Sequence, residues 1–302
     1  MQLVDVAPNV SLEVLDYGGQ GAPVILLAGL GSTGHIFDDF APRLTERHHV
    51  YAITRRGFGA SSKPDDGYDV VTRVADDLAV LAALGLERTI WIGHSLAGDE
   101  LTALAATHPS RVTMLVYLDA TTDHGARFRE LEASSRLPPP ERRPPSAETL
   151  KDPMKFHAWL ETEMMGTAFP FGETLAKFEL GPDGPPRARD LRSAAEKLTE
   201  GSGRQDFAAV HVPALVFLAP PAGPEHLVPN FESMSPANRQ AWRDAWPKFD
   251  AFWKSSYEDV RLHLAGAKIV MLRNSHHFLF IRSDDEVLEE IRAFISRSSV
   301  GS

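Results

Sequence analysis

At 302 residues, with 43% hydrophobic and 24% charged residues, the chain can bury a sizeable core, which excludes a disordered or fibrous protein. A formal net charge of -10 argues against an electrostatic hold on nucleic acid or anionic membranes, since those partners need Lys and Arg concentrated on one face. Cysteine is absent, so disulfides, thiolate metal sites and a cysteine nucleophile are excluded.

Two strand-like runs open the chain, Leu12–Asp16 and Val24–Leu27, and the turn-forming Gly18, Gly19, Gln20 and Gly21 between them predict a hairpin. The apolar run Val24–Ala28 is too short to span a bilayer, and no signal segment precedes it. The sequence therefore reads as soluble and cytoplasmic as it stands, with location left open because an export signal can be trimmed ahead of Met1. Strands and helices then alternate: strand His49–Ile53, helix Val71–Leu84, strand Thr89–Ile92, helix Leu96–Thr107 and strand Val112–Leu118. Such alternation implies a parallel sheet with crossover helices. In the first helix Val74, Leu78, Leu81 and Leu84 fall three or four apart, Arg73, Asp76 and Asp77 take other faces, and Gly85 supplies a C-cap.

From Thr121 to Val210 the alternation stops, and Pro, Arg and Glu accumulate, including Pro138–Pro140 and the pair Pro144–Pro145. This segment, 121–210, reads as an inserted helical cap, with 1–120 and 211–302 as the core. Helical patches are predicted at Lys155–Met165 and Arg187–Thr199, and a loop at Gly181–Pro186. Met164, Met165, Phe169 and Phe171 either line a substrate cavity or form the insertion's own small core. The core resumes with strand Ala214–Leu218, a long excursion to Leu264, strand Lys268–Leu272 and helix Asp285–Phe294. Within the excursion, Trp242, Trp246, Phe249, Phe252 and Trp253 recur at helical spacing, a pattern of packing against sheet or cap.

The chemistry concentrates in Ile90-Trp91-Ile92-Gly93-His94-Ser95-Leu96-Ala97-Gly98, a strand, a sharp turn and a helix with small residues at Gly93 and Ala97 around a serine. This is a nucleophile elbow, which forces the hydroxyl outward at the carboxyl edge of the sheet. The run Leu26-Leu27-Ala28-Gly29-Leu30-Gly31 closes an earlier strand, where the Leu30 amide can pair with that of Leu96 to face one developing oxyanion.

Together these motifs resemble the α/β-hydrolase superfamily over nearly the whole length outside the cap. Arg56-Gly57-Phe58-Gly59-Ala60-Ser61 is similar to its Arg-Gly-Phe-Gly-x-Ser turn, with Arg55 standing where an Asp often precedes it. Ala97 departs from the glycine of the strict elbow motif, and Ala28 stands where many relatives carry a His. The resemblance implies an α/β fold with a mostly parallel central sheet flanked by helices, and an inserted helical cap. It also implies a general base just after the last strand, at His277, with His276 the adjacent candidate, while His94 and His35 are read as structural or substrate-facing. Most relatives place the acid after the strand matching Ala214–Leu218, but Ala219-Pro220-Pro221-Ala222-Gly223-Pro224 offers no aspartate. A minority, haloalkane dehalogenases and a fungal mycotoxin lactonase among them, places it one strand earlier, which selects Asp119, with Glu225 and Asp123 as rivals. A strand-end Asp that merely caps backbone amides is the alternative for Asp119.

The expected enzyme is a cofactor-independent serine esterase or lactonase that forms an acyl-enzyme on a small-molecule acyl substrate. No metal is expected, since His276 and His277 lack a patterned carboxylate partner. The epoxide hydrolases and dehalogenases of this fold carry Asp at the elbow, against Ser95. Two alternatives stay open: a C–C hydrolase, perhydrolase or hydroxynitrile-lyase-like reaction with the same residue types, and a receptor-like member that binds a small molecule. Oligomeric state is not legible.

Overall fold

The computed structural model describes residues 1–298 apart from 123–124, 136, 140, 142–143, 165, 182–184, 190–191 and 274. The expectations resting on Asp123, Met165 and the centre of the Gly181–Pro186 loop therefore lie outside the described residues.

The chain runs β1 (Gln2–Ala7), β2 (Val10–Gly18), β3 (Ala22–Leu27), β4 (His48–Thr54), α1 (Val70–Ala83), β5 (Thr89–His94), α2 (Ala97–Thr107) and β6 (Val112–Leu118). It continues through α3 (Ala126–Ser135), α4 (Pro153–Glu163), α5 (Phe171–Lys177), the short strands β7 (Phe178–Glu179) and β8 (Arg187–Ala188), and α6 (Arg192–Glu200). It closes with β9 (Ala214–Leu218), α7 (Pro236–His263), β10 (Lys268–Met271), α8 (Leu279–Arg282) and α9 (Asp284–Ser298).

Eight strands form one sheet in the order β1-β2-β4-β3-β5-β6-β9-β10. β1–β2 and β2–β4 pair antiparallel and the other neighbours pair parallel. The predicted hairpin is misplaced: β2 and β3 are separated by β4, and the hairpin partner of β2 is β1, joined through Asn9 at φ 60. Gly18, Gly19 and Gly21 reverse the chain without pairing its two sides. The predicted helix Arg187–Thr199 starts late, because Arg187–Ala188 pairs with Phe178–Glu179 before α6 begins.

Alternation along the central strands explains why both faces are apolar. Leu26, Ile92, Val116 and Phe217 point to one face, packed with Phe37, Phe280, Leu288 and Ile291. Ile25, Leu27, Trp91, Leu115 and Val216 point to the other, packed with Val74, Leu81, Leu101, Leu104 and Val260. In α1 the predicted stripe packs inward, with Gly85 (φ 67) ending the helix as its amide donates to Ala82. Arg73, Asp76 and Asp77 on its other faces are buried as well, with Asp76 paired to Arg56 at 2.7 Å and Arg73 to Glu100 at 3.2 Å.

β3 leads to β4 on one side and β5 lies on the other, so the chain turns away in opposite directions from the carboxyl ends of β3 and β5. Such a reversal opens a crevice above those strand ends, where ligands of α/β sheets bind. Among the described residues, no helix is long and apolar enough to cross a membrane.

Candidate active site

Ser95 occupies that crevice. It sits between β5 and α2 at φ 53, a left-handed conformation that a non-glycine residue holds only where its surroundings over-determine it. Its amide donates to Leu118 O at 3.2 Å, tying the elbow to the end of β6. The small neighbours have a steric reason. A Cβ added at Gly93 would meet Leu101 Cδ1 at 2.7 Å and Ala97 Cβ at 2.8 Å, and one added at Gly98 would lie 1.6 Å from Ala120 O. Glycine is thus required at 98, while position 97 accommodates a methyl.

Asp119 directly follows β6 and also has positive φ, 48°. Its carboxylate reaches across the next strand end: Ala219 N–H donates to Oδ1 at 3.0 Å, and His277 Nδ1 lies 2.7 Å from Oδ2. Of the two acid candidates among the described residues, Asp119 and Glu225, Asp119 is the one brought to the imidazole. Glu225, in the turn after β9, instead lies 3.5 Å from His226 on the surface. The backbone-capping alternative for Asp119 holds together with the histidine contact, one oxygen for each.

The two adjacent histidines differ in surroundings. His276 accepts from Phe278 N–H through Nδ1 at 3.2 Å, and burial, with His277 nearby, pushes its imidazole down to about 4. His94, buried beneath the elbow, donates from Nε2 to the His277 carbonyl at 3.0 Å, with ring centroids 4.5 Å apart. Burial first, and then His277, hold His94 well below the usual histidine range. A neutral, fixed ring thus supports the His277 backbone.

The loop after β3 lies against the serine: a Cβ at Gly29 would sit 2.8 Å from His94 Nδ1 and 3.0 Å from Ser95 Cβ. Leu30 is exposed at its tip, followed by Gly31 at φ 73, and Leu96 is buried at the head of α2. Among the described residues neither the Leu30 nor the Leu96 amide donates to a protein acceptor. The far end of the loop is clamped by Glu173 of α5, whose buried carboxylate accepts from Thr33 N at 3.2 Å and Thr33 Oγ at 2.6 Å.

Ser95, Asp119 and His277 open into a cavity of about 150 Å³, walled by Ala219, Pro221, Leu227 and Trp253 with Thr122, His226 and Ser275 at its polar side. Of the two readings for Met164, Phe169 and Phe171, cavity lining or packing, none of the three lines this cavity. Met164 and Phe169 pack into the main core beside the sheet, and Phe171 stacks edge-on against His157 at 5.3 Å. Trp253 on α7 takes the cavity-lining place instead, a role that its periodic spacing did not distinguish from packing. His35 bridges Asp38 at 3.0 Å and Glu13 at 3.6 Å. No group of three or more His, Asp or Glu side chains among the described residues is arranged to hold a metal.

Comparison with known proteins agrees with this architecture. The family model described as alpha/beta hydrolase fold matches residues 22–215. Epoxide hydrolase A of Mycobacterium tuberculosis is 33% identical over 121 residues, 39% of this chain and 37% of the relative. The 2-(acetamidomethylene)succinate hydrolase of Mesorhizobium japonicum is 33% identical over 119 residues, 39% of this chain and 42% of the relative. The match thus spans less than half the length of these curated relatives. A solved structure of E-2-(acetamidomethylene)succinate hydrolase superimposes with a TM-score of 0.70 at 20% identity, covering 98% of each chain. With its sheet order, its elbow and a family match over most of its length, this chain belongs to the α/β-hydrolase fold family.

Proposed function

We propose that the protein is a hydrolase that cleaves a carboxylic ester, thioester or lactone through an acyl-enzyme on Ser95, with His277 as general base and Asp119 orienting it. The observation that carries this is the His277 Nδ1 to Asp119 Oδ2 contact at 2.7 Å, in the cavity that also holds Ser95. A carboxylate on Nδ1 keeps the proton there and leaves Nε2 free to accept.

Ser95 Oγ attacks the acyl carbonyl and gives its proton to His277 Nε2, while the Leu30 and Leu96 amides stabilise the oxyanion. The imidazolium returns the proton to the leaving alcohol, thiol or alkoxide as the C–O or C–S bond breaks. Water then gives its proton to His277 as its oxygen attacks the acyl carbon, and collapse releases the acid and restores Ser95. The unengaged amides at 30 and 96, and Gly29 against Ser95, support this role for the loop.

The relatives' names do not choose the bond, since one is an epoxide hydrolase and the other hydrolyses a 2-(acetamidomethylene)succinate. Chemistry argues against the epoxide: ring opening by a serine alkoxide makes an ether, which water does not release, whereas an acyl-serine ester is hydrolysable. Segment 121–210 serves in this reading as the cap, joined to the catalytic loop through Glu173.

The test is intact-mass analysis after fluorophosphonate treatment of wild type, Ser95→Ala and His277→Ala, with turnover of nitrophenyl esters and lactones. One adduct on wild type, none on Ser95→Ala and much slower labelling of His277→Ala is the expected result. A wild type that takes no label overturns the proposal.

A further inference from the structure

We propose that Arg55 is a positioning residue for the oxyanion pocket: its buried guanidinium ties the Ala28–Leu30 loop to the first turn of α2, fixing the two amide donors relative to each other. The assignment rests on the acyl-enzyme reading above.

Arg55 follows β4 and is buried beneath the site. Its Nε and Nη2 donate to Glu100 at 2.6 and 2.7 Å, a bidentate fork onto a residue in the first turn of α2. Its Nη1 donates to the carbonyl of Ala28. Ala28 lies two residues before Leu30, and Glu100 four after Leu96, so one planar cation grips both sides of the pocket. Glu100 is held in turn by Arg73 Nη1 at 3.2 Å.

A stability role alone does not account for this arrangement. Buried ion pairs are often no better for stability than apolar residues of like volume, and the Ala28 contact adds nothing to the ion pair. What the third donor does is hold a backbone carbonyl of the loop that lies against Ser95. At the opposite end the same loop is clamped by Glu173 on Thr33, so the exposed Leu30 tip is set from both sides. Only a guanidinium serves, because its donors diverge in a fixed plane, while a lysine is a point charge that reaches Glu100 or Ala28 but not both in that geometry.

The test compares wild type with Arg55→Lys, which keeps the charge opposite Glu100 and removes the tie. Two inhibitors separate the effects: a trifluoromethyl ketone, which adds Ser95 Oγ to form a hemiketal oxyanion, and its trifluoromethyl alcohol, which binds without forming one. Deleting one oxyanion donor lowers kcat by about 10²–10³-fold, so loosening two that remain is expected to slow fluorophosphonate labelling about 10- to 100-fold. The ketone Ki is expected to rise by the same factor, with the alcohol Ki within about twofold of wild type. If Arg55→Lys fails to fold, Glu100→Gln, which weakens the fork at nearly constant volume, is expected to raise the ketone Ki selectively. Unchanged ketone binding, or equal loss for both inhibitors, overturns the assignment while a labelled wild type keeps the acyl-enzyme reading intact. A wild type that takes no label overturns both.

Discussion

Replacing Asp119 by asparagine probes the orienting carboxylate with little disturbance of the backbone, because asparagine tolerates the left-handed φ of 48° at this position as well as aspartate does. The two carboxylate oxygens have different work: Oδ1 accepts the Ala219 amide at 3.0 Å and Oδ2 faces His277 Nδ1 at 2.7 Å. An asparagine offers one acceptor and one donor in those places. With its oxygen toward His277, its NH2 meets the buried Ala219 N–H, and an amide left without an acceptor there costs about 1–3 kcal/mol. With its oxygen toward Ala219, its NH2 faces His277 and drives the imidazole to the tautomer protonated on Nε2, which cannot accept a proton from Ser95. The amide penalty favours the second arrangement by roughly 5- to 150-fold. Asp119→Asn is therefore expected to fold with a thermal midpoint within about 4 °C of wild type. Its kcat/KM on a nitrophenyl ester is expected to fall on the order of 10⁴-fold. Activity within tenfold of wild type would refute the reasoning and return Glu225 to consideration.

Ser95 offers a stability measurement as well as a labelling one. At φ 53 it carries strain that glycine lacks, so Ser95→Gly is expected to melt above Ser95→Ala by about 1 kcal/mol, roughly 1.5 °C, and equal midpoints would show that the elbow is unstrained. Trp253→Ala removes an apolar wall of the cavity, and the preferred acyl chain in a series of nitrophenyl esters should lengthen; an unchanged profile would place the acyl group elsewhere. His94 stays neutral in the folded protein while the unfolded chain protonates it below about pH 6.5. Its contribution is therefore fully present above that pH and is lost as pH falls, at up to about 1.4 kcal/mol per unit. Urea midpoints of wild type and His94→Asn should converge between pH 7 and 5, and parallel curves would contradict this.

Much of the architecture was legible because its determinants are local. Apolar runs such as Val112–Leu118 and Ala214–Leu218 are strands buried on both faces, and the elbow around Ser95 is written in small residues, of which Gly93 answers to the nearby Ala97 and Leu101. The hairpin expectation failed for the complementary reason. Gly18, Gly19 and Gly21 specify a reversal, but which strands pair is decided by where β4 inserts, a long-range competition among edges. In the excursion after β9 the aromatic spacing from Trp242 to Trp253 showed a helix but not its 28-residue extent, because its ends are polar and its burial is partial and spread along one face.

The sequence by itself determined the elements, the family and the residue types available for catalysis, since periodicity and turn chemistry act over short spans. Only the tertiary structure decided which residues of those types meet. His277 and Asp119 are far apart in the chain and touch because neighbouring strands end together at one edge of the sheet. Trp253 became a cavity wall, and Arg55 a bridge between Ala28 and Glu100, for the same reason: proximity across strands depends on sheet order and register, which no single segment encodes.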